Sequence, residues 1–211
     1  MTTSVSLAPY VTLLGFARYV GRTGPAKASF VGGLRKQRAS QSGFNPHSQL
    51  LKALKADIQF RTPGVHLDRV RTAVKPRWHP LYGVLVPAAK AYLASLGDLA
   101  DCQLVRPREV IAFVGTLPVK INPQLGVRFG DGRAEAVRLH FDEDPPTPEA
   151  VLATLHLMRR HMDEVLPGAE PVIVDLRRGE VHRGDPSVRP EPVDQWLAGE
   201  AAAFAAMWNA A

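Results

Sequence analysis

The chain has 211 residues, of which 45% are hydrophobic and 22% are charged, and this composition excludes a wholly disordered protein. No stretch approaches the roughly 18–20 consecutive apolar residues of a membrane span, and residues 1–10 lack the pattern of a secretory signal, so we expect a cytoplasmic protein with no membrane partner. The charge is uneven: residues 1–100 carry 14 Lys and Arg against three acidic residues, whereas residues 101–211 carry 12 basic and 17 acidic residues.

The first hundred residues are predicted to form a basic helical part. Apolar residues recur at helical spacing over 11–20, 26–38, 48–60, 67–74 and 85–96. In the third of these segments Leu50, Leu54 and Ile58 share one face, which leaves the lysines on the other. Prolines and a glycine between the last two segments predict a turn over 76–83 that contains Trp78.

From residue 101 onwards the pattern is that of a mixed α/β protein. Strands are predicted over 109–114, 119–121, 125–129, 134–141 and 171–176, and helices over 148–165 and 193–208. The turn at Gly130–Gly132 joins the third and fourth strands into a hairpin, and Thr147 followed by Pro148 is a strong start for the first helix. We therefore predict an α/β (α+β) protein, with a basic helical part over 1–100 and a small mixed sheet packed by helices over 101–211.

The excess of positive charge is concentrated between Arg18 and Arg77, where 13 basic residues accompany two acidic ones. A solvated surface normally carries both signs, so this excess predicts a surface for a polyanion, on which clustered cations displace the counterions of phosphates. We predict a nucleic-acid-binding accessory protein, non-catalytic or with a degenerate nuclease-like core, for which DNA rather than RNA is the expected ligand and no cofactor or metal is expected. The predicted contact residues are Lys27, Arg35, Lys36, Arg38, Lys52, Lys55, Arg69, Arg71, Lys75, Arg77 and Trp78.

Over residues 120–180 the order of elements is a strand, a tight turn, a second strand, an amphipathic helix and a buried strand. This order resembles the core of the restriction-endonuclease-like nucleases, especially the RecB-like branch. The family holds a divalent metal with carboxylates on the two hairpin strands, followed by a lysine that positions the attacking water. Here Asp131 lies in the turn and no lysine follows two residues after Glu135, so the resemblance implies a degenerate active site. A variant set of Asp131, Glu135 and Arg138 stays open, although solvated hairpin positions are the simpler interpretation.

Two alternatives therefore accompany the prediction. One is a metal-dependent nuclease with a variant active site, and the other is a protein-interaction module whose basic part binds an acidic partner or a second copy of the chain. The arginines at 177, 178, 183 and 189 either extend the basic surface or pair with the acidic residues at 142–144. Cys102 is the only cysteine and is expected to be buried, and no two of the seven histidines are three or four residues apart, so neither residue type predicts a metal site.

Overall fold

The computed structural model describes residues 10–40 and 45–211. The expectation about a secretory signal falls mostly on residues 1–9, which lie outside the described residues. The helices are α1 (Leu13–Val20), α2 (Pro25–Ala39), α3 (Ser48–Phe60), α4 (Val65–Ala73), α5 (His79–Ser95), α6 (Pro148–Arg160), α7 (Met162–Val165) and α8 (Pro190–Ala210). The strands are β1 (Val11–Thr12), β2 (Cys102–Val105), β3 (Val110–Val114), β4 (Leu117–Ile121), β5 (Leu125–Phe129), β6 (Ala134–His140), β7 (Glu170–Asp175) and β8 (Glu180–Arg183).

The larger sheet has five strands in the order β2-β5-β6-β7-β8. β5 and β6 form the predicted hairpin, closed by a tight turn in which Gly132 adopts a φ of 89°, a conformation that favours glycine. β6 and β7 run parallel, because α6 and α7 carry the chain back across one face between them, and the other neighbouring strands are antiparallel. The predicted α/β (α+β) class is confirmed.

The smaller sheet has three strands in the order β1-β4-β3. β3 and β4 form an antiparallel hairpin, and β1 pairs in parallel with β4 through Val11 and Thr12. Because β1 leads directly into α1, this short pairing places the first helix beside the second half of the chain, where α1 packs against α6.

Buried apolar residues form two clusters on the two faces of the larger sheet. On β6, Ala134 and Ala136 belong to the cluster formed with α1, the smaller sheet and α6 to α8, whereas Val137 and Leu139 belong to the cluster formed with α3 to α5. Each cluster combines residues from before and after position 100. The division of the chain into parts over 1–100 and 101–211 stays a prediction.

Several boundaries differ from the sequence prediction. The predicted turn containing Trp78 is present but shorter than predicted: a 3-10 turn covers Pro76–Trp78, and α5 begins at His79, because a proline in the first helical turn lacks only an N–H that would have no partner there. The predicted helix over 148–165 is interrupted at His161, whose φ of −119° is not helical. β1, β2 and β8 are not predicted, and β1 takes the first two residues of the helix predicted over 11–20. Cys102 is buried as expected.

Candidate anion-binding cleft

A cleft of about 1010 Å³ opens at the end of the larger sheet where β6 finishes. One wall comes from α1, the start of α3 and the segment before it, and the other from residues 106–109 and 122–124. The floor is the end of β6 from Arg138 to Asp142. A crevice beyond the carboxyl ends of parallel strands is a common location for ligand sites in α/β proteins. We refer to this space as the cleft.

The charged residues that line the cleft are mostly basic. Five are cations (Arg18, Lys55, Arg106, Arg108 and Arg138) and two are acids (Glu109 and Asp142). Both acids are already paired, because Asp142 accepts two hydrogen bonds from Arg18 and Glu109 lies 2.6 Å from the Lys120 ammonium. Among the described residues, none offers a carboxylate at ion-pair distance to the other four cations. The cleft therefore carries uncompensated positive charge.

Arg138 is the most deeply buried of these cations. Its side chain is only 7% exposed, and Nη1 donates one long hydrogen bond, of 3.3 Å, to the carbonyl oxygen of Asn122. Burial, and secondarily the charge of Arg18, lower the pKa of Arg138 to about 10, so the guanidinium remains charged at neutral pH. The charge of Asp142 opposes this lowering, but no carboxylate of the described residues lies at ion-pair distance from Arg138, and a buried cation without a close partner is unfavourable in the free protein. Arg138 therefore keeps hydrogen-bond donors available to a group that enters this space.

The other three cations lie nearer the mouth of the cleft. Lys55 is half-buried on α3, and burial together with the neighbouring Arg106 lowers the pKa of its ammonium. Arg106 and Arg108 are exposed on the connection between β2 and β3. The backbone N–H of Arg108 donates to the carbonyl oxygen of Val165 at 2.8 Å, which holds this connection against the body of the protein. Like charges from distant parts of the chain are thus held close together.

Two polar atoms of the cleft are buried without a hydrogen-bond partner in the described protein, namely Nδ1 of His47 and Oδ1 of Asn122. The His47 ring stacks on Phe141 with 4.4 Å between ring centres, and burial lowers its pKa, which favours the neutral imidazole. Gln124 is fully engaged, because its side chain bonds both the N–H and the carbonyl of Leu139. Buried polar atoms normally have partners, so the unused atoms mark positions for a ligand or water.

A second cavity of about 520 Å³, the side pocket, shares Arg18, Arg138 and Asp142 with the cleft. Its far wall includes Phe30 and Arg22, whose guanidinium lies 4.0 Å from the centre of the Phe30 ring. The ion pair of Arg18 and Asp142 therefore stands at the boundary of the two spaces.

The residues predicted from sequence to contact nucleic acid lie in several places. Lys55 lines the cleft. Lys75, Arg77 and Trp78 line a small pocket of about 110 Å³ that shares Asn45 and Pro46 with the cleft, and the Arg77 guanidinium lies 5.2 Å from the Trp78 ring centre. This pocket extends the basic surface beyond the start of α3.

A further groove lies between α3 and α4. Lys52 and Arg69 line it, and it shares Gln49 with the Trp78 pocket. Arg71 is exposed on α4 and lines none of the described cavities. The cleft, the Trp78 pocket and this groove thus follow one another around α3.

The four predicted residues of α2 are placed apart from this path. Lys27 lies 2.6 Å from Glu200 of α8, and Arg35 donates to the carbonyl oxygen of Trp208. Arg38 lies over the ring of Tyr10 at 3.9 Å, and Lys36 is exposed. None of the four lines a described cavity.

The hairpin residues considered as a variant metal site do not converge. Asp131 is exposed in the turn and pairs with Arg133, as a solvated hairpin position should. For Glu135 and Arg138 that interpretation is wrong, because both are buried: Glu135 lies 2.6 Å from Arg183 of β8, and Arg138 faces the cleft. Residues three apart on a strand point to opposite faces of a sheet. In the described part of the chain, no group of three or more metal-ligating side chains is close enough to hold an ion.

Of the arginines at 177, 178, 183 and 189, only Arg177 forms an ion pair with the acidic connection at 142–144. Arg177 lies 3.8 Å from Glu143, and Arg178 lies 2.8 Å from Asp175. Arg189 precedes α8 and is exposed. Three of the four C-terminal arginines, at 177, 178 and 183, therefore have carboxylate partners.

The comparisons with known proteins do not assign the chain to a family. No protein-family model matches the chain, and no curated protein matches it in sequence. In the described residues no helix is both long and apolar enough to cross a membrane. The resemblance of residues 120–180 to the restriction-endonuclease-like nucleases stays a hypothesis, and the cleft is the feature of the molecule from which a function can be argued.

Proposed function

We propose that this protein binds nucleic acid, with DNA as the preferred ligand, and that it does so in the cleft without cleaving it. The observation that carries the proposal is the set of four cleft cations (Lys55, Arg106, Arg108 and Arg138) that have no carboxylate partner in the described structure. Phosphate oxygens supply the missing negative charge, and the release of counterions from the nucleic acid favours association.

The shape of the basic surface supports a chain-like ligand. Lys55 and the exposed Arg106 and Arg108 flank the cleft, and the Trp78 pocket continues from it across the start of α3. Cations beside an aromatic ring are suited to single-stranded nucleic acid, because bases stack on aromatic faces while cations follow the backbone. A strand leaving the cleft in this direction would meet Arg77 and Trp78 next.

The side chains around the hairpin favour binding over hydrolysis. A hydrolytic metal site needs convergent carboxylates and an open coordination position. Glu135 is occupied by Arg183, and Asp131 is occupied by Arg133 at the far end of the hairpin. The carboxylates that line the cleft, on Glu109 and Asp142, are each held by a cation.

The proposal is tested by measuring the anisotropy of labelled single-stranded and double-stranded DNA and RNA at several salt concentrations. Replacing Lys55, Arg106 and Arg108 together by Ala is expected to weaken binding to all sequences and to reduce the slope of log affinity against log salt by about 3, one for each lost phosphate contact. The competing variant replaces Arg35, Lys36 and Arg38 by Ala, and we expect it to lose less affinity.

Two outcomes would contradict the proposal. Loss of binding only in the Arg35, Lys36 and Arg38 variant would move the interface to the exposed face of α2. Absence of binding to every nucleic acid at low salt, with a folded protein, would favour the interaction with an acidic protein partner or with a second copy of the chain.

A further inference from the structure

We propose that Arg138 binds a phosphate monoester, so that the cleft recognises the phosphorylated end of a nucleic-acid strand in addition to its backbone. This inference rests on the proposed function, because the strand behind the terminal phosphate is held by the cations at the mouth of the cleft. It adds a specific ligand group and a distinct role for one residue.

The burial of Arg138 restricts which chemical groups can reach its guanidinium. Arg138 is 7% exposed, so its guanidinium is reached only by a group that enters deep into the cleft or the side pocket. A backbone phosphate carries a sugar on both sides, and both sugars would have to enter with it. A terminal phosphate has one ester link and three free oxygens, so it enters end-on. The residues at the mouth remain available for the phosphates that follow.

The polar groups around Arg138 suit such a ligand. A guanidinium has five N–H donors, and one hydrogen bond to the Asn122 carbonyl is the only bond that Arg138 donates among the described residues. The unpartnered amide oxygen of Asn122 and the unpartnered Nδ1 of His47 line the same space. The Asn122 amide can turn to present its NH₂ group to a phosphate oxygen, and His47 Nδ1 can bond a phosphate oxygen or a phosphate hydroxyl. A dianionic monoester also balances more of the positive charge than a phosphodiester does.

The same chemistry is offered by a strand end and by a free nucleotide, and the experiment separates them. We would measure the affinities of oligonucleotides that differ only in carrying a 5′ phosphate, a 3′ phosphate or hydroxyl ends, together with a nucleoside monophosphate and inorganic phosphate. We expect one phosphorylated end to increase affinity about tenfold or more, which corresponds to one hydrogen bond between charged groups, and the free nucleotide to bind more weakly than the phosphorylated strand.

Two variants test the assignment to Arg138. Arg138→Met removes the guanidinium. Asn122→Asp keeps the Arg138 guanidinium but places a negatively charged group, similar in shape to the amide, where the phosphate is proposed to bind. Both are expected to abolish the preference for a phosphorylated end while retaining most of the affinity for hydroxyl-ended strands. Arg128→Met is the matched control, because Arg128 is exposed on the adjacent strand β5 and lines no described cavity. It should keep the preference intact.

The outcomes distinguish this inference from the proposed function. Equal affinity for phosphorylated and hydroxyl ends, in a protein that binds both, overturns end recognition and leaves nucleic-acid binding standing. If no strand binds, the result with the nucleoside monophosphate is used instead. Binding of the monophosphate that is lost in Arg138→Met supports a phosphate-monoester site that does not bind nucleic-acid strands, whereas no binding of the monophosphate overturns the site. A preference that persists in both variants also overturns the assignment to Arg138.

Discussion

Arg18 of α1 and Asp142, two residues beyond the end of β6, form a two-point ion pair with 3.0 Å between Nε and Oδ2. Burial raises the pKa of Asp142, but the hydrogen bonds and the charge of Arg18 outweigh it, so the pKa lies below its usual range and the carboxylate is charged at neutral pH. The pair cancels one of the five positive charges that line the cleft. Asp142 therefore limits how strongly the cleft attracts anions.

Asp142→Asn is expected to tighten the binding of nucleic acid. The substitution preserves the shape of the side chain but frees Arg18 to contact a phosphate, which adds about 1 to the salt slope and raises affinity several-fold at low salt. The measurement is the anisotropy of labelled DNA over a salt series. Asp131→Asn is the control, because Asp131 forms an ion pair of similar length outside the cleft. Unchanged or weaker binding in Asp142→Asn would show that the ion pair with Arg18 does not limit the binding of nucleic acid.

Arg138→Met is expected to make the ligand-free protein more stable. Replacing a buried charge that has no carboxylate at ion-pair distance by an apolar side chain removes a desolvation cost, and replacements of buried ionic groups range from neutral to about 4 kcal/mol stabilising. Inorganic phosphate should raise the melting temperature of the wild-type protein and leave that of the variant unchanged. A variant that is less stable without ligand, while phosphate has no effect on either protein, would show that Arg138 has a structural role.

Asp57 is expected to stabilise the junction of α3 and α4. It is fully buried and accepts hydrogen bonds from the Thr62 hydroxyl, the ring Nδ1 and backbone N–H of His66, and the backbone N–H of Leu67, so it caps the start of α4. Asp57→Asn turns an acceptor into a donor facing these groups and should cost about 1–3 kcal/mol of unfolding free energy. Asp68→Asn, at an exposed ion pair with Lys90, should cost about 0–1 kcal/mol.

The same residue predicts a pH dependence. Burial raises the pKa of Asp57, but its hydrogen bonds outweigh burial and hold the pKa below the usual 3.8. A lowered pKa in the folded state means that the stabilisation is present above the unfolded value and is lost as the pH falls through the folded value. The stability difference between wild type and Asp57→Asn should therefore be constant near neutral pH and shrink below 3.8. Denaturation at a series of pH values measures it, and a constant difference down to the lowest pH would contradict the pKa direction.

No metal-dependent cleavage of DNA or RNA is expected. Glu135 and Arg138 face opposite sides of β6, and Glu135 is engaged by Arg183, so the hairpin does not assemble a metal site. The assay incubates linear DNA and RNA with Mg²⁺ or Mn²⁺. Degradation that disappears in Asp131→Ala or Glu135→Ala protein would promote the nuclease alternative, whereas degradation indifferent to both would indicate a contaminant or another site.

Local patterns predicted most of the elements. Leu50, Leu54 and Ile58 are all buried on one face of α3, as their spacing requires, and the Gly130–Gly132 turn closes the hairpin that it predicts. β2 was missed because its four residues have too little pattern to identify a strand without their partner β5. β8 was missed because it is a polar edge strand with one apolar residue, Val181.

The cleft could be predicted only in part. Exposure of the basic side chains on α3 follows from its apolar stripe, but the approach of Lys55 to Arg106 depends on how distant segments pack. The burial of Arg138 was harder to predict, because alternation along β6 assigns this residue to a solvated face, whereas α1 and α6 cover that face. The small residues Ala134 and Ala136 on the same side were the available signal, since a covered face beneath a helix favours small side chains.

The pairing of β1 with β4 and the packing of α1 against α6 determine the order in which the molecule can be completed during synthesis. A ribosome that adds roughly 5–20 residues per second needs about 7–28 seconds to proceed from the end of α1 to the end of α6. Leu13 and Phe16, which are fully buried in the finished protein, lack the first of these partners until β4 is synthesised and the second until α6 is complete. The first part of the chain therefore keeps apolar surface exposed until these partners are synthesised, and its folding is completed late in translation or after release.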